Sequence, residues 1–216
     1  MYSVSRSYTV IYTNFMHYKK HLSKDKVLKQ LIRRHGDYTL ELQENILLKI
    51  CTSILGQQLS TKVAAVLKGR FLQLFKGKKP TARKILAIPH ETLRSIGLSN
   101  AKAQYIKNVC RFFIDNKLTD KKIHEMENDA FIALITQIKG VGKWTAEMLL
   151  MFSLGREDVF SIGDLGLQKA VSQLYNIPFT NKKEYEAKII AVAENWKPYR
   201  TYACLYLWRS LDAVPE

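Results

Sequence analysis

The stretch Gln137-Ile138-Lys139-Gly140-Val141-Gly142-Lys143-Trp144-Thr145-Ala146 constrains this chain more than any other. It reads as the end of one helix, a turn holding two glycines, and the start of a second helix. Bare backbone at Gly140 and Gly142 lets N–H groups approach a phosphate oxygen, and the helix N-terminus that follows favours an anion. Val141, between the glycines, suits a plug in an apolar seam. Ordinary helical hairpins also turn on glycine, so the turn alone names no ligand. Lys139 and Lys143 on its flanks point to a DNA backbone. One helix and one loop downstream, Phe160-Ser161-Ile162-Gly163-Asp164-Leu165-Gly166-Leu167 sets a carboxylate at a helix start. A phosphate grip followed by a lone acid suggests chemistry on DNA rather than binding alone.

Helical periodicity runs through nearly every other segment, and the expected fold is all-α with about ten helices and short loops. Ser23 is a candidate cap for a helix with the stripe Val27, Leu28, Leu31 and Ile32, ending near Gly36. Residues 44–57 carry Ile46, Leu47, Ile50 and Ile54. Ser60 or Thr61 opens a helix with Val63, Leu67, Phe71 and Leu74 on one side. Thr81 and Pro89 start short segments. Ser99 caps a helix with Ile106, Val109, Cys110 and Phe113 inward, and Asn128 caps the helix leading into the glycine turn. Lys143 to Leu154 follows. Asp164 caps Leu165 to Tyr175, Thr180 or Asn181 opens a helix through Ala193, and Pro198 begins a last one through Trp208. The one strand-like stretch is Ser7 to Thr13, which reads equally as an N-terminal arm. With no linker-like segment, two lobes would need crossings near Tyr38 and Gly155.

The formal net charge of +15 attracts polyanions and makes such binding strongly salt-dependent. No apolar run is long enough to span a bilayer and no signal-peptide pattern opens the chain, so no membrane role is expected. Cys51, Cys110 and Cys204 stand far apart and odd in number, which argues against a disulfide framework, a zinc site or an iron–sulfur cluster. The five histidines show no metal-ligand spacing, and no metal is assigned.

Four stretches together resemble the helix-hairpin-helix DNA glycosylases, and among them the alkylation-repair branch, DNA-3-methyladenine glycosylase II. They are Ile54-Leu55-Gly56-Gln57-Gln58-Leu59-Ser60, then Ile138 to Met148, then Gly163-Asp164-Leu165-Gly166-Leu167, then Trp196-Lys197-Pro198-Tyr199-Arg200-Thr201-Tyr202-Ala203 through Trp208. The resemblance spans about His17 to Leu211. It implies two helical lobes with the active site in a cleft between them. Residues 1–40 would form an arm and helix that pack with the C-terminal lobe 156–216, and 41–155 the central lobe ending in the hairpin.

The resemblance also implies roles. Asp164 matches the catalytic acid. Cleaving an N-glycosidic bond builds positive charge at C1′ and the ring oxygen, and a carboxylate beneath the sugar stabilises that charge and can orient a water. An alkylated purine is already cationic and leaves without strong acid help, so one carboxylate suffices. Alone, Asp164 would read as a helix cap, and the two roles can coexist. Gly140, Val141, Gly142, Lys139 and Lys143 are expected on the DNA backbone. Gln58 matches the residue that fills the gap left by the flipped nucleotide. Trp144 and Trp208 match pocket aromatics, Trp208 the base-stacking one, and Tyr202 and Tyr199 are candidates for the wall. Met148 and Leu165 stand where some members have aromatics. Glu147 and Asp158 read as structural, and Lys62 and Lys169 as possible phosphate contacts.

Departures from the family sharpen the reading. Bifunctional members carry a lysine nucleophile where this chain has Trp144, and indole cannot form a Schiff base. The four-cysteine cluster of endonuclease III-like members has no match in these residues, and the compact form without the extra N-terminal β-domain of some members is expected. The expected protein is therefore a monofunctional glycosylase for alkylated purines, of the 3-methyladenine and 7-methylguanine types, acting on double-stranded DNA. It is expected as a monomer in the cytoplasm with chromosomal DNA, or in the nucleus of a eukaryote. No cofactor is expected beyond a possible monovalent cation at the hairpin near Gly140. Alternatives are a glycosylase for other damaged or mismatched bases, and a non-catalytic hairpin protein that senses damaged DNA.

Overall fold

The computed structural model describes residues 17–211, and among these every regular element is helical. The chain divides into two compact units. Unit 1 comprises the N-terminal residues through Glu41 and the chain from Gly155 onward, and unit 2 is Leu42–Leu154.

Unit 1 contains α1 (17–22), α2 (Lys26–His35), α11 (Leu165–Leu174), α12 (Lys182–Glu194) and α13 (Arg200–Leu211). Helix α13 packs on both α2 and α11. Its Tyr202 ring stacks on Tyr18 at 3.9 Å between centroids, and the Tyr206 hydroxyl donates to the Gly36 carbonyl. The cap of α2 is Asp25, not Ser23. Asp25 Oδ1 accepts from the N–H groups of Val27 and Leu28, and Oδ2 accepts from Tyr175 Oη at 2.7 Å and Trp196 Nε1 at 3.2 Å. Partners 150 and 171 residues away select this acid over the nearer serine, and burial pushes the Tyr175 phenol well above its usual pKa. Helix α13 begins at Arg200, two residues after Pro198. The Arg200 side chain forks onto Asp158 at 2.6 and 3.0 Å, while Thr201 Oγ1 accepts from Val159 N–H and donates to the Arg156 carbonyl.

Unit 2 contains α3 (Ile46–Gly56), α4 (Thr61–Gln73), α5 (Ala82–Leu86), α6 (His90–Ser95), α7 (Asn100–Asp115), α8 (Asp120–His124), α9 (Asn128–Ile135) and α10 (Lys143–Phe152). Helix α3 is its spine, with Ile46, Leu47, Ile50, Cys51, Ile54 and Leu55 all buried against α4, α7 and α10. Each such aliphatic side chain contributes roughly 1.5–3 kcal/mol by leaving water. Ser60, Thr81 and Ser99 cap α4, α5 and α7 as their spacing predicts.

Other expectations need correction. In α4 the inward stripe is Leu67 and Phe71, continued by Phe75 just past the helix, while Val63 is exposed. Asn128 is the first residue of α9 rather than its cap, and Ser153 rather than Gly155 ends α10. The short α8 carries too few residues for a readable period. All three cysteines are buried. The strand-like stretch Ser7 to Thr13 lies outside the described residues. No helix among those described is long and apolar enough to cross a membrane.

The Asp25 node yields a stability prediction. Asp25→Ala removes a cap and strands the buried Trp196 indole N–H and the half-buried Tyr175 hydroxyl, which costs about 2–4 kcal/mol. Thermal unfolding should show a midpoint lowered by several degrees, whereas Ser23→Ala should leave it within a degree of wild type.

Candidate active site

The acid sits in unit 1. Asp164 takes extended backbone angles ahead of α11, and its Oδ1 accepts from the Leu167 N–H at 2.8 Å, so it is the helix cap that its position suggests. The same oxygen accepts from Trp208 Nε1 of α13 at 3.0 Å. One carboxylate oxygen therefore ties the start of α11 to the last turns of α13. Gly166 makes this possible, since a Cβ there would lie 3.1 Å from Asp164 Oδ1 and 3.3 Å from Trp208 Cδ1. The Asp164 charge is felt in the interior as well. Burial pushes the Cys204 thiol far up from its usual pKa, and the neighbouring carboxylate pushes the same way. Asp164 is only partly buried, and Leu165 beside it is 77% exposed.

Trp208 is half-buried at this acid. Tyr202 differs from the other two aromatics. Its ring is 5% exposed and stacked on Tyr18, and its hydroxyl donates to Glu157 at 3.1 Å. Both its ring face and its hydroxyl are used inside the unit, so the structure places Tyr202 in the core, unlike the more exposed Trp144 and Trp208. Tyr199 packs edge-on against His21 and Tyr202.

The glycine turn sits in unit 2. Gly140 has φ +106, which L side chains rarely adopt, and a Cβ added there would lie only 2.4 Å from Tyr105 Cγ. Val141 is buried and its N–H closes the turn onto the Ile138 carbonyl at 2.9 Å. Gly142 is the exposed cap position of α10, with no side-chain cap of its own, and a Cβ there would meet nothing within 4 Å. The fold thus requires glycine at 140 but not at 142. At 142 the bare backbone keeps the first N–H groups of α10 approachable. Lys139 and Lys143 are exposed beside the turn, with Lys143 Nζ 3.8 Å from the buried Glu147 carboxylate. Trp144 is 45% exposed on the first turn of α10.

Gln58 is exposed with φ +58 in the tight connection between α3 and α4. A non-glycine residue in that region costs about 1–2 kcal/mol, and the surroundings must hold it there. Two residues not singled out from the sequence do so. Lys102 Nζ, at the start of α7, donates to the carbonyls of Leu55 at 3.0 Å and Gln57 at 2.7 Å. Gln57 Nε2 donates to the Gly140 carbonyl at 3.1 Å. The Gln58 loop and the glycine turn are thereby bolted to each other and to α7. Partial burial lowers the Lys102 pKa. Neither residue carries a local sequence signal, because the bonds span 45 to 83 residues.

A glycine hairpin with approachable backbone N–H groups, and a capping acid held by an indole, define a helix-hairpin-helix protein of DNA repair type. The chain belongs to the HhH-GPD superfamily of base excision DNA repair proteins, whose family model matches residues 51–197. It is similar to DNA-3-methyladenine glycosylase 1 of Schizosaccharomyces pombe, 32% identical over 197 residues that cover 88% of this chain and 85% of the relative. Its fold matches the crystal structure of a DNA-3-methyladenine glycosidase from Bacillus halodurans with a TM-score of 0.80, at 36% identity, covering 91% of this chain and 89% of the other. It also matches the Schizosaccharomyces pombe 3-methyladenine DNA glycosylase in complex with abasic DNA, with a TM-score of 0.80 at 30% identity, covering 92% and 98%.

The two glycines should separate stability from binding. Gly140→Ala should lower the unfolding midpoint strongly, by about 2–4 kcal/mol in stability, because it combines a disfavoured φ with a ring clash. Gly142→Ala should cost less than about 1 kcal/mol yet weaken duplex DNA binding several-fold in a titration at fixed salt.

Proposed function

We propose that this protein excises alkylated purines of the 3-methyladenine and 7-methylguanine types from double-stranded DNA, leaving an abasic site in an uncut strand. It is a hydrolase of the N-glycosidic bond in base excision repair. The observation that carries the reading is the Asp164 carboxylate, fixed by the Leu167 N–H and Trp208 Nε1 within a chain that matches alkylation-repair glycosylases over about nine-tenths of its length.

In this reading the hairpin residues Gly140, Val141 and Gly142, with Lys139 and Lys143, hold the backbone of the damaged strand, and Gln58 fills the vacated space in the duplex. The base swung out of the stack is cationic, and Trp144 and Trp208 supply electron-rich faces to it. As the bond from C1′ to the base nitrogen lengthens, the electron pair leaves with the base and quenches its positive charge. Positive charge appears on the sugar, where the Asp164 carboxylate stabilises it and orients a water for addition at C1′. The water's proton passes to solvent, and the products are the free neutral base and the abasic sugar. Because Asp164 Oδ1 also accepts two hydrogen bonds, its orientation is set before the substrate arrives.

Trp144 stands where a lyase would need a lysine amine, and Lys143 lies on another face of α10 beside Glu147. Strand cleavage is therefore not part of the reaction. A monovalent cation at the hairpin near Gly140 would be held by the carbonyls of the turn, that of Gly140 keeping one lone pair beside the bond it accepts from Gln57 Nε2, and no step depends on one. The protein acts as a monomer in the compartment that holds chromosomal DNA.

The direct experiment is incubation of the purified protein with DNA methylated by an alkylating agent, followed by chromatography of the released bases. Release of 3-methyladenine and 7-methylguanine, with strands intact until alkali is added, is expected. Release of no base, of oxidised bases instead, or strand scission without alkali would refute the reading.

A further inference from the structure

Unit 2 has two ends of different character. Helices α3 and α7 run antiparallel, because Lys102 at the start of α7 bonds the carbonyls that end α3, while Asp120, just past the end of α7, bonds the N–H groups that start α3. The Gln58 loop and the glycine turn occupy the first end. The second lies about 16 Å away along the eleven residues of α3, at ~1.5 Å per residue.

That second end holds a cavity of about 420 Å³. Its floor is apolar, built from Leu47, Phe113 and Leu118. Its rim is basic, with Lys79, Arg83 and Lys117 all exposed. The segment 76–84 alone supplies five Lys or Arg and no acid. Asp120 offsets part of this charge, but both its oxygens are turned to the start of α3, where Oδ2 accepts from Asn45 N–H at 2.7 Å and Oδ1 from Ile46 N–H at 3.1 Å. Glu44, well out in solvent, pairs only loosely with Lys79 at 3.9 Å.

We propose that this cavity docks an acidic peptide segment of a partner protein through one bulky apolar side chain. The volume suits a small ligand or a single large side chain. An aromatic or branched aliphatic side chain would bury against the floor, and flanking carboxylates would pair with Lys79, Arg83 and Lys117. The anchor supplies most of the affinity, while the rim speeds encounter and selects for acidic sequences. A nucleic-acid backbone satisfies the rim but gains nothing from Leu47, Phe113 and Leu118. Occupancy of this end leaves the hairpin end of the unit uncovered, so the peptide does not compete with DNA held there.

The test uses the full chain and two fluorescent six-residue peptides, one with a phenylalanine among five acidic residues and one with alanine in its place. Anisotropy titrations at low salt should give saturable binding of the phenylalanine peptide, at least about tenfold tighter than the alanine peptide. The double variant Arg83→Glu, Lys117→Glu should weaken that binding about tenfold or more, with an unchanged unfolding midpoint and unchanged release of methylated bases. Equal affinity for both peptides would reduce the site to a nonspecific basic patch and overturn the proposal, as would no saturable binding of either. A double variant that loses affinity for duplex DNA while keeping the peptide would assign the surface to nucleic acid instead.

Discussion

One carboxylate oxygen holds this site together. Asp164 Oδ1 receives the Leu167 N–H and the Trp208 indole N–H, and so closes the N-terminus of α11 onto α13. Each bond has a separate purpose. The backbone bond is the price of starting a helix, since the first turn otherwise leaves donors unsatisfied. The indole bond fixes which way the carboxylate turns and anchors the Trp208 ring, for which we propose a place against the flipped base. Gly166 is the permissive element, because any side chain there would crowd both partners. Catalysis by charge stabilisation needs an anion already in place when positive charge develops. A cap supplies one at little extra cost, because folding the helix orients it.

Unit 2 meets a different demand. Gripping a phosphate by backbone N–H groups requires a turn that does not yield when the duplex is distorted. Gly140 is pressed onto Tyr105, Val141 is sunk in the core, and the Gly140 carbonyl is held by Gln57. Lys102 holds the next loop from beneath, so the left-handed Gln58 is carried on a braced support. Rigidity is placed under the residues for which we propose contact with the flipped nucleotide's neighbourhood, and exposure is kept at Gly142 and Trp144, where DNA would arrive.

Much of this was legible in the sequence. The apolar spacing of α3 and α7, the Ser and Thr caps of α4, α5 and α7, and the Asp164 cap all follow from local rules, and the structure has them. What was not legible there had non-local causes. Ser23 lost the α2 cap to Asp25 because Tyr175 and Trp196 converge on the latter from far along the chain. Val63 fits a helical stripe, yet the core takes Phe75 instead. Tyr202 shares a helix with Trp208, but its stacking on Tyr18 commits it to the interior. Gln57 and Lys102 are ordinary polar residues whose importance arises only when their carbonyl partners are brought alongside. Motifs disclosed the groups that would touch DNA, and tertiary structure disclosed the groups that hold them.

The central claim is that the Asp164 charge, not merely its cap, drives removal of the base. The most direct measurement is single-turnover base release by Asp164→Asn on a duplex with one alkylated purine, set beside its affinity for the same duplex. Asparagine keeps an oxygen to cap α11 and accept from Trp208, so the fold and DNA binding should persist while release falls at least about a hundredfold. Release within a few-fold of wild type, at unchanged affinity, would contradict the account.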